Sequence, residues 1–215
     1  MTRSAVRALT LLAGSIVVVG CAPRLKPLGG EIAPVSMPRT VLPPIHRQVV
    51  FDWEYSDADM SGKGQGVARI APPDSARLDF FLAGGYAGGS AILIGDSLQL
   101  PGVDLFRRLI PPPTLLWASL GKSAFPVTRD TAIRRENEFL RADLGRPVEW
   151  RATFRADSLI RLERVDGDRI VEWIERGAGD RIEYRQEAAR RTLKLHVTRV
   201  DTLRGFDAAI WSLNR

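Results

Sequence analysis

Residues 76–101 read ARLDFFLAGGYAGGSAILIGDSLQLP, and the fold class turns on how this stretch alternates. Leu78, Phe80 and Leu82 fall on one side of an extended chain and Arg77 and Asp79 on the other, which is the period of a half-buried strand. Gly84, Gly85, Gly88 and Gly89 then frame a lone aromatic, Tyr86, and Ala91, Ile92, Leu93 and Ile94 form a second apolar run closed by Gly95-Asp96. Two such runs around a glycine-rich turn predict an antiparallel hairpin.

The same period extends outward in both directions. Upstream, Val49, Phe51, Trp53 and Tyr55 alternate with Gln48, Asp52 and Glu54, and residues 62–71 continue the pattern, so residues 46–100 predict four or five strands in meander order. Downstream the period changes. Leu105, Phe106, Leu109 and Ile110 have helical spacing, Pro111-Pro112-Pro113 must end that helix, and residues 114–120 resume as a short apolar one. Helices this short need a surface to pack on. Alternation returns from Glu138, with inward sets Val148, Trp150, Ala152 and Phe154; Ile160 and Leu162; Val171 and Trp173; Ile182 and Tyr184; and Leu193, Leu195 and Val197. The expected architecture is α+β: one strongly curved antiparallel sheet, a half-open β-barrel, with short helices covering its concave face.

The bulk composition supports a folded chain and little more. The 215 residues are 45% hydrophobic and 26% charged, which argues against disorder and multiple membrane spans. A net charge of +6 suggests a nucleic-acid partner until its distribution is read. From residue 129 onward 18 Arg and one Lys are interleaved with 16 acids, a mixed solvated surface where a nucleic-acid binder shows a single-sign stripe. Nucleic acid is not an expected partner.

The single cysteine excludes an internal disulfide and a Cys-based zinc site. It stands at position 21, after Arg3, Arg7 and the 13 uncharged residues 8–20, a run too short to span a bilayer and of the size of a signal-peptide core. Val18-Val19-Gly20-Cys21 resembles a bacterial lipobox, in which the thiol takes a diacylglycerol and the amine freed by cleavage takes a further acyl chain such as palmitate. The division expected is a lipoprotein signal peptide over residues 1–20, a lipidated Cys21 with a Pro-rich tether over 21–44, and a folded domain over 45–215. Multiple acyl chains give stable anchoring where one does not. Ala22, in place of the Asp that retains lipoproteins at the inner membrane, points to the periplasmic face of the outer membrane, with the inner membrane as the alternative. Loss of Arg3 and Arg7 with the signal lowers the net charge from +6 to +4. Six Pro and two Gly among residues 22–44 predict an extended spacer.

Catalytic and metal-binding patterns are weak. His46 and His196 lie at opposite ends of the domain sequence, and His196 alternates outward with Leu195 and Val197. Gly121-Lys122-Ser123 lacks the upstream glycine of a phosphate-binding loop, since position 116 is Leu. Gly62, Gly64 and Gly66 read as inter-strand glycines with no helix to follow, and Asp57 and Asp59 read as turn residues. The expected class is a protein that is no enzyme, with no metal and no cofactor.

Taken together, the lipobox, the strands, the Gly-rich hairpin over residues 76–101, the Ile110-Pro-Pro-Pro-Thr-Leu-Leu-Trp-Ala-Ser-Leu-Gly121 insert and the second run of strands resemble the LolA/LolB superfamily of bacterial lipoprotein carriers, and within it the lipid-anchored outer-membrane receptors. The resemblance implies a hydrophobic cavity that binds acyl chains of lipoproteins, received from a soluble periplasmic lipoprotein carrier, and helps insert lipoproteins into the outer membrane. By position it implies a membrane-insertion loop of Gly84, Gly85, Tyr86, Gly88 and Gly89, and a cavity lined by Phe51, Trp53, Phe80, Leu82, Ile92, Trp117, Trp150, Phe154 and Trp173. A monomer is expected. The alternative is a noncatalytic envelope assembly or scaffold lipoprotein on the same fold. The receptors carry an amphipathic helix before the first strand, where this chain has its Pro-rich segment.

Overall fold

The computed structural model describes residues 22–84, 88–100 and 104–213. Its strands are β1 (Glu31–Ile32), β2 (His46–Ser56), β3 (Ser61–Ala71), β4 (Ser75–Leu82), β5 (Gly88–Ile94), β6 (Ser97–Gln99), β7 (Thr131–Glu136), β8 (Phe139–Leu144), β9 (Trp150–Arg155), β10 (Ser158–Asp166), β11 (Arg169–Arg176), β12 (Arg181–Gln186) and β13 (Arg191–Leu203). Between β6 and β7 stand two short helices, α1 (Asp104–Leu109) and α2 (Pro113–Ser119). All 13 strands join one open antiparallel sheet in the order β1-β7-β8-β9-β10-β11-β12-β13-β2-β3-β4-β5-β6. The two runs of consecutive hairpins meet where the long β13 pairs with β2, from Leu203 opposite His46 to Thr192 opposite Ser56.

Contacts across the sheet show how strongly it curls. Laid flat, β11 and β5 would stand six strand spacings, about 29 Å, apart. Yet α2, seven residues and about 10 Å long, packs on β10 and β11 while Trp117 Nε1 donates 2.7 Å to the Gly95 carbonyl just after β5. One apolar cluster therefore includes Phe51, Trp53, Phe80, Leu93, Leu116, Trp117, Phe154, Ile174 and Leu193, from both halves of the chain. The helical layer is thin: Pro113 opens α2 and Leu115, Leu116, Trp117 and Ala118 are its buried face. Leu109 and Ile110 are buried at the end of α1.

The alternation read in β2 and β4 is realised. Phe51, Trp53 and Tyr55 are buried between exposed Asp52, Glu54 and Ser56, and Ala76, Leu78 and Phe80 share their face. The three glycines expected between strands lie inside β3. Gly62, Gly64 and Gly66 stand opposite Tyr55, Trp53 and Phe51. A Cβ on Gly66 would lie 2.3 Å from Phe51 Cζ, so the glycines clear backbone for the rings to lie on. Phe80 then meets Phe51 and Trp53 edge-on, with centroids 5.5 and 6.0 Å away.

Three expectations are corrected. The first is the spacer: the Pro-rich segment is hydrogen-bonded to the domain from its start. Ile170 N donates to Pro23 O (2.9 Å), Leu25 N to Asp168 O (2.7 Å), Arg151 Nη2 to Lys26 O (2.8 Å), and Ala33 N to Ile133 O (3.1 Å). β1 extends the sheet beside β7, Ser123 N donates to Thr40 O (2.9 Å), and Leu42, 5% exposed, enters the core. Proline lacks an N–H but keeps its carbonyl, and the residues between prolines suffice to cover a sheet edge.

The second correction is the phase of β11. Ile170, Glu172 and Ile174 point inward and Trp173 outward, because Ile174 is paired with Leu162 and Tyr184 and Glu172 with Arg164. Trp173 lies under guanidiniums, Arg161 at 4.2 Å and Arg185 at 5.6 Å from the ring, and its Nε1 donates to Glu187. The third is Ile92, which pairs with Arg77 and so shares the outer face with Asp79, away from Ala91 and Leu93. That face is covered at this point by a 3-10 turn (Ala208–Trp211), pinned by Arg77 Nη1 donating 2.8 Å to Ile210 O.

Candidate functional site

The apolar side of the curled sheet and α2 enclose an apolar interior. Leu78, Phe80, Ile110, Leu116, Ile174, Tyr184 and Leu193 border a residual gap of about 10 Å³. That is at the threshold for one water. Of the expected lining residues, Phe51, Trp53, Phe80, Trp117 and Phe154 are buried in this interior, and Leu82 and Trp150 pack against it partly buried. Trp173 and Ile92 are on the outer face, as described above. Among the described residues this gap between the sheet and α2 is filled by side chains to about 10 Å³, too little for an acyl chain.

One end of this interior is ringed by polar groups that the sequence reading missed. Glu172, only 2% exposed, accepts from Arg164 Nε and from Tyr184 Oη at 2.8 Å. Burial first, then the charge and the hydrogen bond of Glu172, push the Tyr184 phenol well above its ordinary pKa, against the opposing pull of Arg191 and Arg164. Tyr55 Oη donates to Asp57 Oδ2 at 2.6 Å, and burial followed by that bond pushes the Tyr55 phenol up as well. The same bond, with donation from Asp59 N and Met60 N to the Asp57 carboxylate, holds Asp57 below the usual carboxylate range. Arg108 of α1 reaches Asp59 at 3.2 Å and Asp57 at 4.0 Å, so the collar also fastens α1 to the turn between β2 and β3. At the opposite end, burial lowers the guanidinium pKa values of Arg47 and Arg176, and the charge of Arg47 lowers that of Arg176 further.

The other expected site residues divide. Cys21, Gly85 and Tyr86 lie outside the described residues. Gly84 has φ 99°, which glycine tolerates at no steric cost, and it ends the strand side of the expected loop. Gly88 and Gly89 are the first residues of β5, paired with Phe81 and Phe80, and a Cβ on Gly88 would lie 2.5 Å from Phe80 O. Beside them Phe81 points outward, 48% exposed. His46 contacts Phe206 edge-on at 5.5 Å and His196 is exposed, opposite Arg181.

A LolA superfamily protein from Nitrosomonas europaea has the same architecture: TM-score 0.52 at 12% identity, over 80% of this chain and 92% of that one. The chain has the LolA-type fold. Two further solved structures are similar at lower scores. One is a domain described as an outer membrane lipoprotein-sorting protein from Vibrio parahaemolyticus, with TM-score 0.45 and 5% identity over 79% of this chain and 90% of that one. The other is a DUF1329 family protein from Desulfovibrio piger, with TM-score 0.39 and 8% identity over 79% and 90%. No family profile and no curated protein matches the chain. In this chain the LolA-type sheet is open, its edges being β1 and β6, and its helical layer consists of α1 and α2 among the described residues.

Proposed function

We propose that this protein is a noncatalytic lipoprotein, acylated at Cys21 and held at the periplasmic face of the outer membrane, that binds acyl chains of lipoproteins between the apolar face of its sheet and α2. The observation that carries this reading is a LolA-type sheet whose inner face is apolar across both halves of the chain while its helical cover is so slight. A seven-residue helix with no side-chain cap at its start is held mainly by side-chain burial. An acyl chain offers that same apolar surface a replacement partner. A soluble periplasmic carrier would deliver the cargo, and no energy source is required.

The filled interior favours a second reading, a scaffold lipoprotein that uses this fold to hold a protein partner. Mass spectrometry of a soluble form lacking residues 1–21 separates the two. Acyl lipid co-purifying with the protein, and increasing in Trp117→Ala, is the result expected of the binding reading. Absence of lipid from both forms, with normal localisation of other lipoproteins after depletion and a stable partner on pulldown, would establish the scaffold instead.

A further inference from the structure

The segment after Cys21 begins hydrogen-bonding to the domain almost at once, and this bears on how the domain meets a membrane. A free chain of residues 22–44 in polyproline geometry would hold the domain up to about 70 Å from its anchor. The observed contacts remove that freedom. Pro23, two residues after the cysteine, already receives the Ile170 amide, and Arg24 pairs with Arg169 in an isolated bridge. Two residues of chain span at most about 7 Å, which limits how far an anchor at Cys21 can be from Pro23.

The sheet register shows which end of the molecule this is. Arg164 is opposite Glu172, Glu172 opposite Gln186, Gln186 opposite Arg191, Thr192 opposite Ser56, and Ser56 opposite Ser61. The turns at 57–60, 167–168 and 187–190 therefore lie at one end of the strands, and the strap starts at that end. Glu187 N donates to Val171 O at 3.0 Å, which places the 187–190 turn beside the start of β11 where the strap is bound.

We infer that residues 22–42 are an orienting strap, which seats the end of the sheet carrying the 167–168 and 187–190 turns directly on the lipid bilayer. The inference rests on the acylation of Cys21 in the reading above. The occupant of this surface is a membrane because the anchor is two residues from the first strap hydrogen bond, which leaves no chain length for the domain to stand off or turn over. The surface carries both signs of charge, among them Arg24, Asp168 and Arg169. Its seating therefore depends on the anchor and is insensitive to salt.

The test uses the full acylated chain in phosphatidylethanolamine–phosphatidylglycerol vesicles that carry a headgroup quencher. Ala188→Cys and Ala178→Cys, both in exposed turns flanking β12, supply one free thiol each for a fluorophore, since the thiol of Cys21 is consumed by the lipid. The six residues of β12 separate the labels by about 20 Å. At least threefold stronger quenching at 188 than at 178 is expected. A 20-residue Gly-Ser insertion between Cys21 and Ala22 brings the ratio toward one. Equal quenching without the insertion, or fast amide exchange at Leu25 and Ala33 in the anchored protein, overturns the strap while leaving the anchor intact. A chain that acquires no lipid by mass and does not float with vesicles overturns the anchoring reading itself; slow exchange at Leu25 and Ala33 in that chain would show that the strap still forms.

Discussion

The β2–β5 half and the β9–β12 half of one sheet are built on different chemistry. In the first, the inner face is aromatic: Phe51, Trp53 and Phe80 lie on a backbone cleared by Gly64 and Gly66. In the second, Leu162 and Ile174 share the inner face with Glu172, which is held by Arg164 and Tyr184. The first half is limited by shape and the second by electrostatics, so they should fail differently under substitution.

The comparison is broken most severely at Arg164. Arg164→Leu leaves the Glu172 carboxylate buried with a single phenol as partner, and a loss of about 3–5 kcal/mol in urea unfolding is expected. Glu172→Leu removes the buried charge itself, and Arg164, whose side chain is 41% exposed, can turn to water, so its cost should be smaller. Equal costs for the two would refute the electrostatic account of this half.

Gly66→Ala tests the shape account. Its Cβ would meet the Phe51 ring at 2.3 Å and the Asp79 carbonyl at 2.9 Å, and about 1–3 kcal/mol of destabilisation is expected. Gly205→Ala, which meets nothing within 4 Å and has no positive φ, serves as the control and should be neutral or slightly stabilising.

Tyr184→Phe removes one hydrogen bond to a charged group, for about 1.5–3 kcal/mol at neutral pH. Its pH dependence has a definite sign. A phenol raised in the folded state contributes stability that is fully present below its unfolded pKa, about 10, and is lost as pH rises through the folded value. The wild type should therefore lose stability above about pH 10 more steeply than Tyr184→Phe, measured by thermal melts from pH 8 to 11. Identical alkaline slopes would place the phenol outside the collar's energetics.

The smallest effect belongs to Trp173→Ala. On the outer face it loses cation–π contacts to Arg161 and Arg185, of order 1 kcal/mol, with some packing of the arginine stems. A loss of about 3–5 kcal/mol, as for a core tryptophan, would return it to the interior.

Legibility in the sequence follows the same division. In β2 and β4 one phase is apolar and the other polar apart from Val50 and Phe81, so Phe51, Trp53, Leu78 and Phe80 are readable as an inner face. In β11 both phases carry large apolar residues, Ile170 and Ile174 against Val171 and Trp173, and alternation does not choose between them. In β5 Ala91, Ile92, Leu93 and Ile94 are all apolar, so alternation does not choose a phase, and Ile92 is buried on the outer face where the 3-10 turn near the C-terminus lies. The alternation read from Glu138 begins one strand after β7, and Asn137, with φ 55°, marks the hairpin that joins β7 to β8; Asn at such a turn is the signal that identifies it. The collar was invisible because Asp57, Arg108, Arg164, Glu172 and Tyr184 are scattered over more than a hundred positions.

By itself the sequence determined that the chain forms an antiparallel meander interrupted by two proline-bounded helices, because period and punctuation act locally. It also carries the lipobox-like stretch around Cys21 that leads to the proposed anchor. Only the tertiary structure decided which phase of β11 and β5 faces inward, that the apolar interior is filled, and that the Pro-rich segment is a strap. Each of these depends on register between strands distant in sequence, and hydrogen bonding between such strands is set by the whole sheet.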